Sequence, residues 1–325
     1  MTRYALGRLW GGVAVSVAVM MTRPASAQAP LPAAPASQTQ IVLLGTGNPV
    51  PDPDRAGPAT GVVVNGTPYL VDFGAGVMRR AKAAVVDKGI AALEPPNFRV
   101  VFVTHLHSDH TIGYADLLLT PWTYGRRVPL EVYGPPGIKA MSEHLLEAYR
   151  ADFEARTKEH GGGLYTVGSY PEGHGVNAHE IGAGVVYKDA NVTVTAFPTK
   201  HAIESYGYRF DTPDRSIVIS GDTNPTQATI DACHGCDVLI HEVQTLGWLA
   251  KRPDFQAYAA RYHTTTAQLA ELASQAKPRL LILYHASIAL RPVVNPKASS
   301  PGELLSEMAS RYSGHVVVGR DLDVY

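Results

Sequence analysis

The run Thr104-His105-Leu106-His107-Ser108-Asp109-His110 places four side chains able to bind a metal, His105, His107, Asp109 and His110, directly behind the apolar stretch Val100-Val101-Phe102-Val103. Imidazole and carboxylate are ligands that zinc favours at catalytic sites, where a coordination position stays open for water or substrate. Without a cation, groups this close repel one another when charged and waste burial when neutral. A polar turn that is merely rich in histidine has nothing to offset that cost. After a strand, His105 and His107 point the same way by alternation. Ser108 or Asp109 is expected to cap a new helix, whose apolar positions continue from Thr111 to Leu119. The helix start re-aims Asp109 and His110, and two ligand pairs facing one cleft can serve two adjacent metals.

His105-Leu106-His107-Ser108-Asp109-His110 matches the HxHxDH pattern and resembles the metallo-β-lactamase superfamily of dinuclear metallohydrolases. The resemblance implies a further histidine, a bridging aspartate and a last histidine, each after a strand. The run 193–198 leads to His201, the run 216–221 to Asp222 and the run 280–284 to His285. Singly, each would pass as an ordinary histidine or a Gly-Asp turn; the repeated order of strand then ligand carries the reading. The resemblance implies that His105, His107 and His201 hold one metal ion, Asp109, His110 and His285 the other, and that Asp222 bridges them. It also implies an α/β fold, an αββα sandwich of two face-to-face sheets with helices outside and the metals at one edge.

Leu44-Gly45-Thr46-Gly47, Arg55, the run 70–76, Gly207-Tyr208-Arg209, His241-Glu242 and His263-Thr264-Thr265 look like the ribonuclease Z and arylsulfatase-like branch. That branch implies a proton relay of Glu242 and His263 beside the metals, with Asp109 also in the catalytic set. A carboxylate bonded to imidazole orients the ring and raises its pKa, which suits it to act as a general acid. Alternatively, Glu242 ends a buried strand and His263 is a loop residue. His241 is read as structural. Members that process transfer RNA usually carry a long RNA-gripping arm between the Gly-Tyr-Arg and Gly-Asp-Thr segments; here only residues 210–220 lie between them. The chain has instead a long segment from Pro135 to Asn191, where Tyr165, Tyr170 and His174 are candidate substrate contacts or parts of a surface excursion. Trp122 is expected to pack beneath the site.

The elements that must position these groups are short apolar runs punctuated by glycine and proline: Ile41–Leu44, Thr60–Val64, Tyr69–Asp72, Val100–Val103, Leu130–Tyr133, and more from Val185 onward. Helical spacing interrupts them at Val77–Val86, Gly137–Arg156, Thr265–Gln275 and Gly302–Arg311. Gly45-Thr46-Gly47 lacks the third glycine or Lys-Ser/Thr of a phosphate loop. A single hydrolase domain is expected over residues 39–325, after an Ala/Pro-rich lead-in at 28–38.

Residues 1–27 carry basic Arg3 and Arg8, an apolar stretch from Leu9 to Met21 and the small-residue end Ala25-Ser26-Ala27. This is the pattern of a signal peptide cleaved after Ala27, too short to span a bilayer, which takes about 20 residues. No cysteine follows to take a lipid anchor, and a periplasmic or secreted location is expected. Losing Arg3, Arg8 and Arg23 leaves 25 basic against 29 acidic side chains, a formal charge of −4. With no basic cluster, a nucleic-acid partner is not expected. Cys233 and Cys236, the only two cysteines, can form a disulfide, remain thiols or act in redox chemistry.

The reading as a whole is an exported hydrolase with two zinc ions, manganese or iron also suiting its donors, that cleaves small phosphodiester or sulfate esters by attack of a metal-bridging hydroxide. The alternatives are a lactonase or β-lactamase on the same metals, a mononuclear-iron oxygenase, a transfer-RNA 3′-processing endonuclease, and a metal-binding protein without catalysis. Oligomeric state is not legible in the sequence.

Overall fold

The computed structural model describes residues 39–158, 171–291 and 293–325, all within one compact unit. The expected leader at 1–27, the lead-in at 28–38, and Tyr165 and Tyr170 lie outside the described residues.

One sheet is built in the order β1 (Thr39–Gly45), β2 (Ala59–Val64), β3 (Thr67–Val71), β4 (Val100–Phe102), β5 (Leu130–Gly134), β6 (Val176–Glu180). The other follows chain order from one edge: β7 (Gly184–Lys188), β8 (Thr193–Pro198), β9 (Tyr206–Asp211), β10 (Ser216–Ile219), β11 (Val238–Glu242), β12 (Leu280–Tyr284), β13 (Val316–Val318). The helices are α1 (Val77–Lys88), α2 (Ser108–Thr111), α3 (Tyr114–Thr123), α4 (Ile138–Ala148), α5 (Arg150–Lys158), α6 (Gln227–Cys233), α7 (Leu246–Ala250), α8 (Pro253–Tyr262), α9 (Thr266–Ala276) and α10 (Pro301–Ala309).

Period-two alternation gives each sheet two apolar faces, so each must be covered on both sides. Ile41 and Leu43 of β1 turn inward with Tyr69 and Phe102, meeting Val194, Tyr208, Phe210, Ile240 and Ile282 of the other sheet. Val42 and Leu44 turn outward beneath Val77 and Ala81 of α1 and Leu117 of α3. On the far side, Val218, Leu239 and Leu281 lie under Leu269 and Ala273 of α9 and Leu304 and Met308 of α10. The result is the expected α/β sandwich with helices outside two facing sheets.

Strand direction decides where the chemistry gathers. β3 and β4 are parallel, as are β10, β11 and β12, while β8 and β10 are each antiparallel to β9 and therefore run the same way. The loops at the carboxyl ends of parallel strands are where open α/β sheets build sites. Those ends deliver Asp72, His105, His201, Asp222, Glu242 and His285. Between β9 and β10, where the resemblance would put an RNA-gripping arm, the chain makes the turn Thr212–Arg215, closed by Thr212 N–H donating to Arg215 O at 3.0 Å.

Two local expectations are corrected. The helix expected from 137 to 156 breaks at Tyr149 into α4 and α5, because Phe153 turns inward to meet Trp122 edge-on, off the line along which α4 covers its sheet. Neither Ser108 nor Asp109 caps the helix after the metal run. His107 occupies the N-cap position without a side-chain cap, and the Asp109 carboxylate is drawn to His285 at 3.1 Å instead. α7 and α8 had no counterpart in the hydrophobic pattern.

Cys233 and Cys236 are joined by a disulfide at the end of α6. Among the described residues no helix is long and apolar enough to cross a membrane.

Candidate metal centre

The seven expected ligands converge. His105 and His107 follow β4, α2 carries Asp109 and His110, and the loops after β8, β10 and β12 bring His201, Asp222 and His285. His107 Nδ1 lies 3.1 Å from His105 Nε2 and 3.0 Å from His201 Nε2. On the other side, His285 Nε2 lies 3.1 Å from Asp109 Oδ2 and 3.3 Å from His110 Nε2. Asp222 stands between the two groups. Its Oδ2 is 4.0 Å from His105 Nε2 and 3.9 Å from His201 Nε2, while its Oδ1 is 3.3 Å from His110 Nε2 and 3.4 Å from His285 Nδ1.

These residues fit divalent cations. Nitrogens bound at 2.0–2.1 Å around a tetrahedral zinc lie about 3.3 Å from one another, close to the spacing found here. Asp222 Oδ1 and His285 Nδ1 are buried without a satisfactory hydrogen bond, a state that costs about 1–3 kcal/mol per group unless something else is bound. Proton placement agrees. The Nδ1 of His201 faces the Tyr262 carbonyl at 3.0 Å, which can only accept, so that nitrogen carries the hydrogen and Nε2 offers a lone pair. Asp72 orients His110 in the same manner, at 2.8 Å from its Nδ1, while accepting from Thr104 N–H and Oγ1. Such outer partners fix the tautomer of a ligating imidazole.

The electrostatics keep three of the imidazoles neutral, with a lone pair to offer, and set His110 apart. Burial, reinforced by the charge of His110, holds His105 well below the usual histidine range. Burial also lowers His107 and His201 against the pull of Asp222. Burial alone would raise Asp222, yet His285 and His110 outweigh it and keep the carboxyl well below its ordinary range. His110 is the converse case: burial would lower it, and Asp72 and Asp222 raise it well above.

Asp72 has no assignment in the sequence reading beyond its place in a shared segment. It and His285 both adopt left-handed backbone, at φ 61° and 50°, a conformation uncommon outside glycine, adopted by Asp and His more readily than by most residues, and recurrent at functional sites. The chain makes room for the metal-binding turns with glycine. A Cβ on Gly74 would sit 2.6 Å from the Asp109 carbonyl and still closer to Gly57, and one on Gly221, itself at φ 59°, 2.7 Å from Thr104 Cβ. Gly74→Ala is therefore expected to cost about 1–3 kcal/mol by overpacking and to push Asp109 out of place. A lowered melting temperature with weaker metal retention would support this; unchanged values of both would refute it.

Glu242 and His263 meet beside this centre. His263 Nδ1 lies 2.9 Å from Glu242 Oε1, which also accepts the Thr223 N–H at 2.9 Å. Burial would lower the His263 pKa, but the charge and hydrogen bond of Glu242 dominate and raise it to about 9. His241 is fully buried and directs its Nδ1 to the Glu242 carbonyl, as a structural residue would.

A cavity of about 450 Å³ opens over the centre, lined by Asp109, Asp222 and His263 on one side and Trp248, Phe255 and Tyr258 on the other. The last three come from α7 and α8. Pro253 at the helix start, Asp254 in the first turn and aromatic residues at 255, 258 and 262 are the signals that could have revealed α8. His174 is not brought to this cavity. It stacks on Phe153 at 4.0 Å and meets Trp122 edge-on, in a cluster where Trp122 is fully buried.

A family model described as a β-lactamase superfamily domain matches residues 67–286. A ribonuclease Z from Mycobacterium bovis (strain BCG / Pasteur 1173P2) is 33% identical over 288 residues, 87% of this chain and 96% of that protein. Among solved structures, the metallo-β-lactamase fold protein YhfI from Bacillus subtilis aligns at TM-score 0.66 and 16% identity, covering 89% of this chain and 100% of that one. The short form of human tRNase Z aligns at TM-score 0.62 and 22% identity, covering 88% and 98%.

Proposed function

The chain belongs to the β-lactamase superfamily, on its ribonuclease Z-like branch, and from that premise we propose that it is an exported dinuclear zinc hydrolase of small phosphodiester or sulfate esters. The observation that carries the reading is Asp222, which turns one carboxylate oxygen toward each of two ligand groups. His105, His107 and His201 would hold one ion, and Asp109, His110 and His285 the other. Bound ions would supply a water acidified to a pKa near 7 and a Lewis acid for the charge that develops. Manganese and iron suit the same nitrogen and oxygen donors.

The remaining work falls to the chain's own side chains. Asp109 is more open to the cavity than Asp222 and takes the proton lost by the attacking water. The water oxygen bonds to phosphorus or sulfur, the ester bond to the departing oxygen breaks, and its electron pair leaves with that oxygen. His263, aligned through Nδ1 by Glu242, gives its Nε2 proton to that oxygen, and the alcohol departs neutral.

A second reading follows from the relative named ribonuclease Z, since RNA is also a phosphodiester. Against it stands the formal charge of −4 expected after cleavage at Ala27. One experiment separates the readings: metal analysis of protein from its native compartment, with a nitrophenyl panel of phosphodiester, phosphomonoester, sulfate and carboxylate esters. The proposal expects a first residue of Gln28, two zinc ions per chain, and turnover of the phosphodiester or the sulfate. Cleavage confined to a 3′-extended transfer-RNA precursor would establish the RNA reading. Turnover of lactones or cephalosporins alone would indicate an acyl hydrolase, and one iron per chain an oxygenase.

A further inference from the structure

We propose that α7 and α8 form a leaving-group subsite for a planar aromatic ring, with Trp248, Phe255 and Tyr258 as its specificity-determining residues. The proposal rests on the reading of the centre as an esterase in which His263 faces the departing oxygen.

Ring geometry supplies the argument. His263 lies between the metal-binding groups and the helical wall. Its ring centroid is 5.2 Å from that of His201 on one side, and 5.5 Å from Tyr258 and 5.8 Å from Phe255 on the other. The wall continues from Tyr258 to Phe255 at 5.2 Å and from Phe255 to Trp248 at 5.3 Å. All three residues line the same cavity as Asp109, Asp222 and His263. An ester centred on the metal-binding groups, with its breaking bond toward His263, therefore lays its departing group along these rings.

Two of the three rings, Phe255 and Tyr258, are left partly open by the fold. Trp248, Leu249 and Ala259 make a small buried cluster with Phe255 packed only partly against it, and Tyr258 remains 36% exposed. Core aromatic residues would be covered. Trp248, only 5% exposed, closes the base of the wall, and the part-covered rings of Phe255 and Tyr258 are the ones that a flat ligand completes by offset or edge contacts, each worth up to about tenfold in affinity beyond apolar burial. The Arg252 guanidinium closes the outer end, 5.5 Å from the Trp248 ring and 5.8 Å from the Phe255 ring, with its charge met by Asp254 at 2.8 Å. That end does not call for an anionic substituent on the ring.

Calorimetric titration of the zinc-loaded protein with phenylphosphonate and cyclohexylphosphonate tests the inference, because the two ligands share charge and approximate size but differ in planarity. The wild type is expected to bind the phenyl compound about tenfold more tightly. The double variant Phe255→Leu, Tyr258→Leu is expected to bind both alike, at unchanged zinc content and melting temperature. Trp248→Leu, made separately, is expected to reduce the preference in the same direction. Equal binding by the wild type, or a preference that survives the double variant, would overturn the subsite. If the preference holds and disappears as expected but no ester is hydrolysed, the subsite stands and the esterase reading fails.

Discussion

Asp222→Ala is expected to lower the metal content from two ions per chain to one or none, and to reduce kcat/KM for the best ester by at least about 10³-fold, roughly 4 kcal/mol of transition-state stabilisation. The carboxylate is almost wholly buried, and its two oxygens face different ligand groups. No other described side chain stands in that position, so truncation separates the groups and leaves His110 with Asp72 and Asp109, and His285 with Asp109, as their remaining facing carboxylates. Chelation of the wild type is expected to give the same loss, reversed by added zinc, whereas the variant should not recover. A ligand that binds only the folded state at a thousand times its Kd stabilises by about 4 kcal/mol, so the chelated wild type should also melt at a lower temperature. Circular dichroism distinguishes a folded, metal-poor variant from an unfolded one. A folded Asp222→Ala protein that keeps two ions and full turnover would end the dinuclear reading.

Glu242→Gln and His263→Ala are expected to slow esters of poor leaving groups by about 10²–10⁴-fold, the range for general acid catalysis, and to leave a nitrophenyl ester nearly unaffected. The difference has a physical basis. A departing alkoxide needs its proton as the bond breaks, and nitrophenolate does not. Glutamine at 242 can still accept from Thr223 N–H, but it removes the carboxylate that raises His263 to about 9 and holds it protonated near neutrality. Metal content must be measured alongside, because an imidazole nitrogen of His263 lies close enough to His201 and Asp222 to share a cation with them. Retained metal with a selective loss on poor leaving groups identifies proton delivery. Loss of metal from His263→Ala would make it a ligand, and equal slowing of every ester would exclude the relay.

Much of the centre is legible in the chain because each ligand is announced locally. Strand and turn patterns place His105 and His107 together on one side, and an apolar run precedes each of His201, Asp222 and His285. The same alternation shows that both faces of the strands require cover, from which the layered fold follows. Other features depend on which segments meet. Asp72 becomes the partner of His110 only because β3 lies parallel to β4. The candidate contact His174 belongs instead to the Trp122 and Phe153 cluster, since nothing in its neighbouring residues indicates which face of the fold it will join. Asp109, expected as a possible cap, turns toward His285 once the second sheet brings that imidazole within 3.1 Å.

The aromatic wall marks the same division. Its residues and their helical spacing are written in the sequence, but their closeness to His263 depends on how α7 and α8, which follow β11, fold back toward the centre. By itself the sequence determined which donor atoms the centre holds, because donor chemistry belongs to the residue and its immediate turn. Tertiary structure alone decided the position of Asp222 between the two ligand groups, the support of His110 by Asp72 and the placing of the aromatic rings beside His263. Those distances are set by the packing of two sheets, a sum of many weak contacts between residues far apart in the chain.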